Sequence, residues 1–524
     1  MGRRFTFFGG AAGAIGAIAL ALVAGLLLRG ANLGQNVYWV DEVHTALRLA
    51  GYTKETVTPL LSQPITVAEL APFQGAAGAL PDTLRALAQH PEHPPLYYLT
   101  AWGALALAPA NLDFVGLLRG VSLLFGLLAL PATYWLSWEL WRSPQVSALG
   151  LALVTLSPLH VLYAQEAREY SLWTSLTLIS GAALLRAMRL GGPWWRYGLT
   201  VALGLYSHLL FGAVVLVHGL YVLLVGGKGR RGYWTATAIA VVAFSPWIWV
   251  GLQRRGQLDA VVEAVQLDTT LGYLIDVWAR SLNRVFFNGD WGSANLLILG
   301  VALYSLYHLW RLRHSPSRRS ALFVGLLVVI PAIGLLVPDL VFGGIRSTRI
   351  RYLIPCYLGL QLAIAHLFIV QLSQRRGWAR RGWAAGLALL LAVSGGASLV
   401  STQTPLSWAK SDKSAYYPAM AETINASAGP EAAEAYGPWV ISDSSATYLL
   451  ALARLLKPST RLQLVSPPQP ALPEPAVLDA EPPGTTLFLF DPSPRLKRLV
   501  QRDYGSLEMR VVQNDRFQLW QVLR

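Results

Sequence analysis

The chain has 524 residues, of which 54% are hydrophobic and only 13% charged, and its mean hydropathy is positive. That excludes a soluble domain of ordinary composition, because several apolar runs approach the roughly 20 residues needed to cross a bilayer. The net charge of +14 does not point to nucleic acid, since Lys and Arg fall in short clusters between apolar runs, and the single cysteine, Cys356, excludes an intrachain disulfide framework and a cysteine-based metal site.

In chain order, a short basic start (Met1 to Arg4) precedes an apolar run from Phe7 to Leu28, long enough to span. With Arg3 and Arg4 inside, the stretch Val37-Tyr38-Trp39-Val40-Asp41-Glu42 emerges on the far face. A carboxylate at that depth loses hydration, so it is either paired or used for proton chemistry; the plainer alternative is that Asp41 and Glu42 only stop the first helix. A long first loop comes next, residues 30–117. Within it, Pro95 to Pro109 is apolar but short for a span, and reads as a helix lying in the interface. That choice sends Val121 to Leu140 inward and Ser147 to Leu162 outward. The polar string from Tyr163 to Tyr170 then reaches the same face as Asp41.

Leu172 to Leu185 returns inward. The run from Tyr197 to Val225 would be about 43 Å long as one helix, too long for a comfortable span, and is interrupted by Ser207-His208. It therefore reads as two short helices. Trp234 to Leu252, Asn295 to Trp310, Ala321 to Val337, Tyr352 to Leu372 and Ala384 to Val400 continue the alternation. The fold class expected is a polytopic α-helical membrane protein of about eleven membrane helices, with basic loops inside. One basic cluster, Arg346, Arg349 and Arg351, breaks that bias and calls for an anionic partner.

From Ser401 the composition becomes richer in Pro and charge. Short β-like runs at Trp439 to Ser442, Arg461 to Val465, Thr486 to Phe490, Glu508 to Gln513 and Phe517 to Val522, with a helical run from Ser445 to Leu456, suggest a small C-terminal extracytoplasmic α/β domain. The expected division is residues 1–400 and 401–524.

Asp41, Glu42, His93, Arg119, Glu166, Arg168, Tyr170, His208, Arg346, Arg351 and Tyr352 all fall near the outer ends of membrane segments on this topology. Acids and arginines together at an interface are costly unless they pair or meet a charged ligand. Carboxylates serve as general bases and arginines clamp phosphate, the combination that transfer from a lipid-linked phosphosugar requires. His90 and His93 have metal-ligand spacing, but Pro91, Pro94 and Pro95 break the helix that would align them, and no metal site is assigned. Arg119 also reads as a cation snorkelling from a helix end, and His208 as a core histidine.

These residues resemble the GT-C superfamily of glycosyltransferases, in the branch of protein O-mannosyltransferases and lipid A aminoarabinose transferases (family 39-like). The resemblance is carried by Asp41-Glu42, His93-Pro94-Pro95-Leu96-Tyr97-Tyr98, Arg119, Gln165-Glu166-Ala167-Arg168 with Tyr170-Ser171, and Arg351-Tyr352-Leu353-Ile354-Pro355, in the family's order over roughly the first 360 residues. It implies an inverting transferase that moves a sugar from a polyprenyl-phosphate donor to an acceptor hydroxyl of a protein, lipid or glycan, while the topology places the site on the outer face of a plasma membrane, read as a bacterial inner membrane. Asp41 would be the base, Glu42 its neighbour in the acidic motif, Glu166 the second acid, and Arg119, Arg168, Arg351 and Tyr352 the groups that hold the donor phosphate or organise the site. Whether a divalent metal ion assists stays open. Glu169 adds a charge where related sequences more often carry a hydrophobic residue. A transporter or flippase of a lipid-linked sugar is the alternative from another class, since it too has broken helices and anion-binding arginines; it would need polar groups along a path through the bilayer, whereas these gather at one face.

Overall fold

The computed structural model describes residues 11–109, 111–227, 229–289, 292, 295–404, 414–427, 437–465, 485–504, 506–513 and 517–523. Met1 to Arg4 and the first residues of the run from Phe7 lie outside them. The main helices are α1 (Ala11–Gly30), α2 (Val40–Leu49), α3 (Leu96–Leu107), α4 (Phe114–Trp141), α5 (Pro144–Thr155), α6 (Pro158–Ala164), α7 (Tyr170–Leu190), α8 (Trp194–Ser207), α9 (Phe211–Val225), α10 (Arg230–Gln253), α11 (Asn295–Arg311), α12 (Arg318–Phe342), α13 (Ile354–Gln374), α14 (Gly377–Gln403), α15 (Tyr417–Ala426), α16 (Ala446–Ala453) and α17 (Pro494–Tyr504). The strands are β1 (Ile65–Thr66), β2 (Trp439–Ser442), β3 (Arg461–Leu464), β4 (Leu487–Phe490), β5 (Ser506–Gln513) and β6 (Phe517–Leu523).

The apolar runs expected to cross are largely helical over their described residues, with breaks at Leu156-Ser157 and at His208 to Leu210. Among the described residues, five helices are long and apolar enough to cross a membrane: α4, α10, α12, α13 with the turn before it, and α14; α5 and α6, bent by 60°, make a sixth if taken as one span. The protein is an integral membrane protein. The expected figure of about eleven counted every apolar run except Pro95 to Pro109, and several of those helices are shorter or less apolar than a lone span would be, for a physical reason. A helix surrounded by protein need be neither long nor uniformly apolar. Helix α7 is buried over nearly its whole length and accommodates Ser171, Thr174, Ser175, Thr177 and Ser180 there. As expected, Tyr197 to Val225 is broken: α8 ends at Ser207, His208 is extended (φ −160°, ψ 135°), and α9 begins at Phe211. Helix α3, at 12 residues, spans only about 18 Å.

The chain forms two compact units. The first comprises the described residues of Met1–Gly34, Leu87–Thr100 and Leu118–Thr404, the second those of Gln35–Ala86, Ala101–Leu117 and Pro405–Arg524. Most of the first loop therefore groups with the tail in the second unit.

In the second unit a six-stranded sheet runs in the order β1-β3-β2-β4-β6-β5. The central strands β3, β2 and β4 are parallel, and β1, from the first loop, pairs antiparallel with β3 at the edge. Trp439 to Ser442 and Leu487 to Phe490 are buried throughout, as expected where helices cover both faces of a parallel sheet. One face packs Trp439, Ile441, Leu487 and Leu489 on Leu496 and Val500 of α17. Helix α2 packs on α16, and Gln74 donates to the Leu450 carbonyl at 3.1 Å.

In the first unit, the break between α5 and α6 sets how the surrounding helices join. Ser143 caps α5 and Pro144 opens it, but Pro158 has no N–H to continue the ladder, so the carbonyl of Val154 loses its helical partner. Arg29, fully buried on α1, replaces it: Nη2 donates to Val154 O and Nη1 to Thr155 O, both at 3.0 Å. Ser398 Oγ donates to Leu156 O at 2.8 Å. The favour is returned at the end of α1, where Gln165 Nε2 donates to Arg29 O (3.1 Å) and Ala31 O (2.8 Å). Each helix C-terminus is thus capped by a side chain from the other segment. Replacing Arg29 with Met, or Gln165 with Leu, leaves buried carbonyls unpaired and is expected to cost about 2–4 kcal/mol, measured by SDS-titration unfolding, with faster hydrogen exchange across 154–170. Unchanged unfolding and exchange would show that the caps are dispensable.

Candidate active site

The segment between α6 and α7 is Gln165-Glu166-Ala167-Arg168-Glu169, entirely buried. Gln165 is spent on α1. The Arg168 N–H donates to Glu166 O at 2.7 Å, Ser122 Oγ on α4 donates to Arg168 O at 3.2 Å, and Ser171 Oγ donates back to Tyr163 O at 2.8 Å. Backbone groups that a loop would ordinarily leave to water are thus satisfied internally, which lets a polar loop lie inside the protein.

On this frame Glu169 collects three partners. Its Oε1 lies 3.0 Å from His93 Nδ1 and 3.3 Å from Arg168 Nη2, and its Oε2 accepts from Tyr98 Oη at 3.3 Å. Burial alone would raise the Glu169 carboxyl, but the Arg168 guanidinium and His93 outweigh it and hold the group well below the usual carboxylate range. The motif His93-Pro94-Pro95-Leu96-Tyr97-Tyr98 therefore has a physical purpose here. The prolines carry His93 past the start of α3, while Tyr98, one turn in, reaches the same carboxylate.

Tyr170, the first residue of α7, sits between two cations. The Arg168 Cζ is 5.7 Å from its ring centre and the Arg351 Cζ 5.5 Å, the latter also 5.7 Å from the ring of Tyr352. The 3-10 turn Ile350–Leu353 before α13 supplies Arg351 and Tyr352, both half-buried. His208, in the α8–α9 break, stacks on Trp173 at 4.2 Å and 8° and stands 6.0 Å from Tyr352. The cluster thus joins two guanidinium groups and the Glu169 carboxylate within a wall of aromatic rings, with Glu166 buried in the same loop. Such a site favours an anion with an apolar body.

Of the residues singled out in the sequence, His93, Arg168, Tyr170, His208, Arg351 and Tyr352 come together. Glu166 is fully buried in the same loop. Arg119 is also fully buried, and its Nη1 donates to Leu33 O at 2.9 Å, just beyond α1. Arg346 is engaged elsewhere: its Nη1 meets Asp339 Oδ1 at 3.1 Å, while Asp339 Oδ2 accepts from Ser347 N and Oγ, each at 2.6 Å. That network folds the turn after α12, giving Arg346 a structural partner. Asp41 and Glu42 open α2 in the second unit, Asp41 half-buried and Glu42 fully buried. Sequence reasoning missed Trp173, Asp339 and the pairing of Glu169, and had Tyr98 only as part of the motif that begins at His93. An acid inside the apolar run of α12 was the available signal for Asp339. Among the described residues no group of three or more His, Cys, Asp or Glu is placed to hold a metal ion.

The fold is GT-C-like. The solved structures that resemble it include ArnT from Cupriavidus metallidurans bound to undecaprenyl phosphate, with a TM-score of 0.52 and 14% identity over 98% of each chain. The apo state of the same protein matches with a TM-score of 0.52 and 14% identity over 97% of each. The oligosaccharyltransferase AglB from Archaeoglobus fulgidus gives a TM-score of 0.49 and 11% identity over 88% of this chain and 65% of its own. No protein-family model matches. Among curated proteins, the heme-binding subunit MsrQ of the protein-methionine-sulfoxide reductase from Xanthomonas oryzae pv. oryzae is 26% identical over 196 residues, which is 37% of this chain and 75% of MsrQ. One described histidine pair, His308 and His366, meets at 3.3 Å between Nε2 and Nδ1. Two axial nitrogens on opposite sides of one metal stand about 4 Å apart, given metal–nitrogen bonds of about 2 Å, so this pair is a hydrogen bond and not an axial ligand set.

Glu169→Gln removes the buried counter-charge of Arg168 and is expected to cost about 3 kcal/mol. Because the Glu169 carboxyl is depressed, its stabilisation is present above the ordinary carboxylate range and lost only as pH falls through its lower folded value. The stability gap between wild type and variant should therefore hold from pH 8 to about 5 and close in stronger acid. A gap that closes near pH 6 in unfolding titrations would contradict the pairing.

Proposed function

We propose that the protein is a membrane glycosyltransferase that moves a sugar from a polyprenyl-phosphate donor to an acceptor hydroxyl, with its site on the outer face of a bacterial inner membrane. The observation that carries this reading is the pair of guanidinium groups, Arg168 and Arg351, gathered about Tyr170 beside the Glu169 carboxylate. A phosphate monoanion or dianion on an apolar chain fits that charge and those rings. The fold shared with ArnT, whose solved structure holds undecaprenyl phosphate, supports the same ligand class.

In this mechanism Asp41 takes the proton of the acceptor hydroxyl as its oxygen attacks the anomeric carbon. The bond from that carbon to the phosphate oxygen breaks, its electron pair leaves with the polyprenyl phosphate, and the configuration inverts. Arg168 and Arg351 stabilise the charge gathering on the departing phosphate, which is where fixed cations lower a barrier most. Glu166 is the second acid of the site, and His208 and Tyr352 line the donor. The assignment of Asp41 and Glu166 rests on the sequence resemblance.

The test uses purified protein in nanodiscs with undecaprenyl-phosphate sugars and measures release of undecaprenyl phosphate. Asp41→Asn should lower release by about a hundredfold or more while the protein inserts normally, and Arg351→Ala should weaken donor use by about tenfold or more. Wild-type turnover in the Asp41 variant would remove it as the base. Donor that crosses liposomes without being cleaved would favour the transport reading.

A further inference from the structure

The sheet of the second unit has a feature that the proposed glycosyl transfer does not explain. Strand β2 leads through α16 to β3 on one side, and the chain then returns to place β4 on the other side of β2. The carboxyl ends of β2 and β4 therefore flank a topological switch point, the place where open α/β sheets bind ligands. The residue immediately after each strand is an aspartate, Asp443 and Asp491. Ile441 is paired with Leu489 in parallel register, so the two acids, two positions further on, stand on neighbouring strands whose spacing is about 4.8 Å.

The surroundings are built for hydrogen bonding. Ser493 ties the two strand ends together: its N–H donates to Asp443 Oδ1 at 2.8 Å and its hydroxyl to Asp443 Oδ2. Each carboxylate oxygen keeps a further acceptor site. The β2–α16 turn adds the Ser444 and Ser445 hydroxyls, the latter 3.0 Å from the buried Thr447 hydroxyl in α16. Asp443, Ser444, Ser445, Asp491 and Ser493 are all half-exposed. Beneath them Tyr417, fully buried at the start of α15 with its ring 6.1 Å from that of Phe490, the last residue of β4, has a hydroxyl with no hydrogen-bond partner among the described residues. That hydroxyl is near enough to Tyr448 and Asp491 for both, after burial, to push its pKa up, so that it stays protonated. A buried hydroxyl left unmated beside a polar rim is an expensive arrangement unless a ligand completes it.

We propose that the carboxyl ends of β2 and β4 form a carbohydrate-binding site, in which Asp443 and Asp491 accept hydrogen bonds from the hydroxyls of a neutral sugar and the Tyr417 hydroxyl completes the floor. Two adjacent carboxylates repel phosphates and nucleotides, which leaves a ligand rich in donors. Burial, and then Asp443, push the Asp491 carboxyl up to about 6 against the pull of Lys497. Sugar hydroxyls donating to the ionised pair would relieve that cost.

The inference does not rest on the transferase reading, and one experiment separates the two. Full-length protein in nanodiscs is titrated with methyl α-D-glucopyranoside, methyl α-D-mannopyranoside and N-acetyl-D-glucosamine, with binding read by saturation-transfer difference NMR. At least one should bind saturably. Asp443→Asn and Asp491→Asn should weaken that binding by about tenfold or more, and Tyr417→Phe, which keeps the ring, by about threefold to tenfold. Asn is chosen at 491 because the residue sits at φ +46°, a conformation Asn tolerates. Asp41→Asn should leave this binding unchanged. Absence of saturable binding by all three sugars, binding indifferent to the Asp443, Asp491 and Tyr417 changes, or calcium or magnesium binding that depends on the two acids without any sugar binding would each overturn the proposal.

Discussion

A missing N–H at Pro158 is the constraint on which the membrane unit depends. It strands the carbonyls at the end of α5, and the repair comes from a buried cation on α1, Arg29. A guanidinium in a protein interior is costly in general. Here it is surrounded by helix C-terminal carbonyls, the negative ends of two peptide dipoles, so the same groups that need donors also offset its charge. Gln165 reciprocates at α1. Because Gln165 is the first residue of the loop that bears Glu166, Arg168 and Glu169, the bend and the candidate site are one construction.

That coupling explains what the amino-acid pattern disclosed and what it hid. The break at His208 was legible because a polar dipeptide interrupts an over-long apolar run, and the tail strands were legible because each is a short hydrophobic run between turn residues. Trp439 to Ser442 was read with the bounds the structure has. Long-range partners were not. Gln165 looked like one letter of a motif, although its donors go to carbonyls more than 130 positions earlier. Glu169 looked like an added charge beside Arg168, and only the fold brings His93 and Tyr98 to it. Arg346 was grouped with Arg351 by proximity in sequence, yet a carboxylate on the preceding helix claims it.

The sheet unit carries a different lesson about chain order. A two-residue strand, Ile65–Thr66, is too short to leave a periodic signal, but its pairing with β3 makes most of the first loop part of the same unit as the tail. Asp41 and Glu42 thereby belong to a helix that packs on α16. Local pattern located the elements, whereas pairing across hundreds of residues decided which of them share a core.

The claim on which the functional account rests is that the cationic cluster about Tyr170 binds the phosphate of a polyprenyl lipid. Native mass spectrometry of the purified protein with undecaprenyl phosphate measures that most directly, with undecaprenol as the uncharged control. The account predicts a saturable complex with the phosphate and not the alcohol, weakened by about tenfold or more in Arg168→Gln and Arg351→Gln. Equal retention of the alcohol and the phosphate, or affinity untouched by both substitutions, would contradict it.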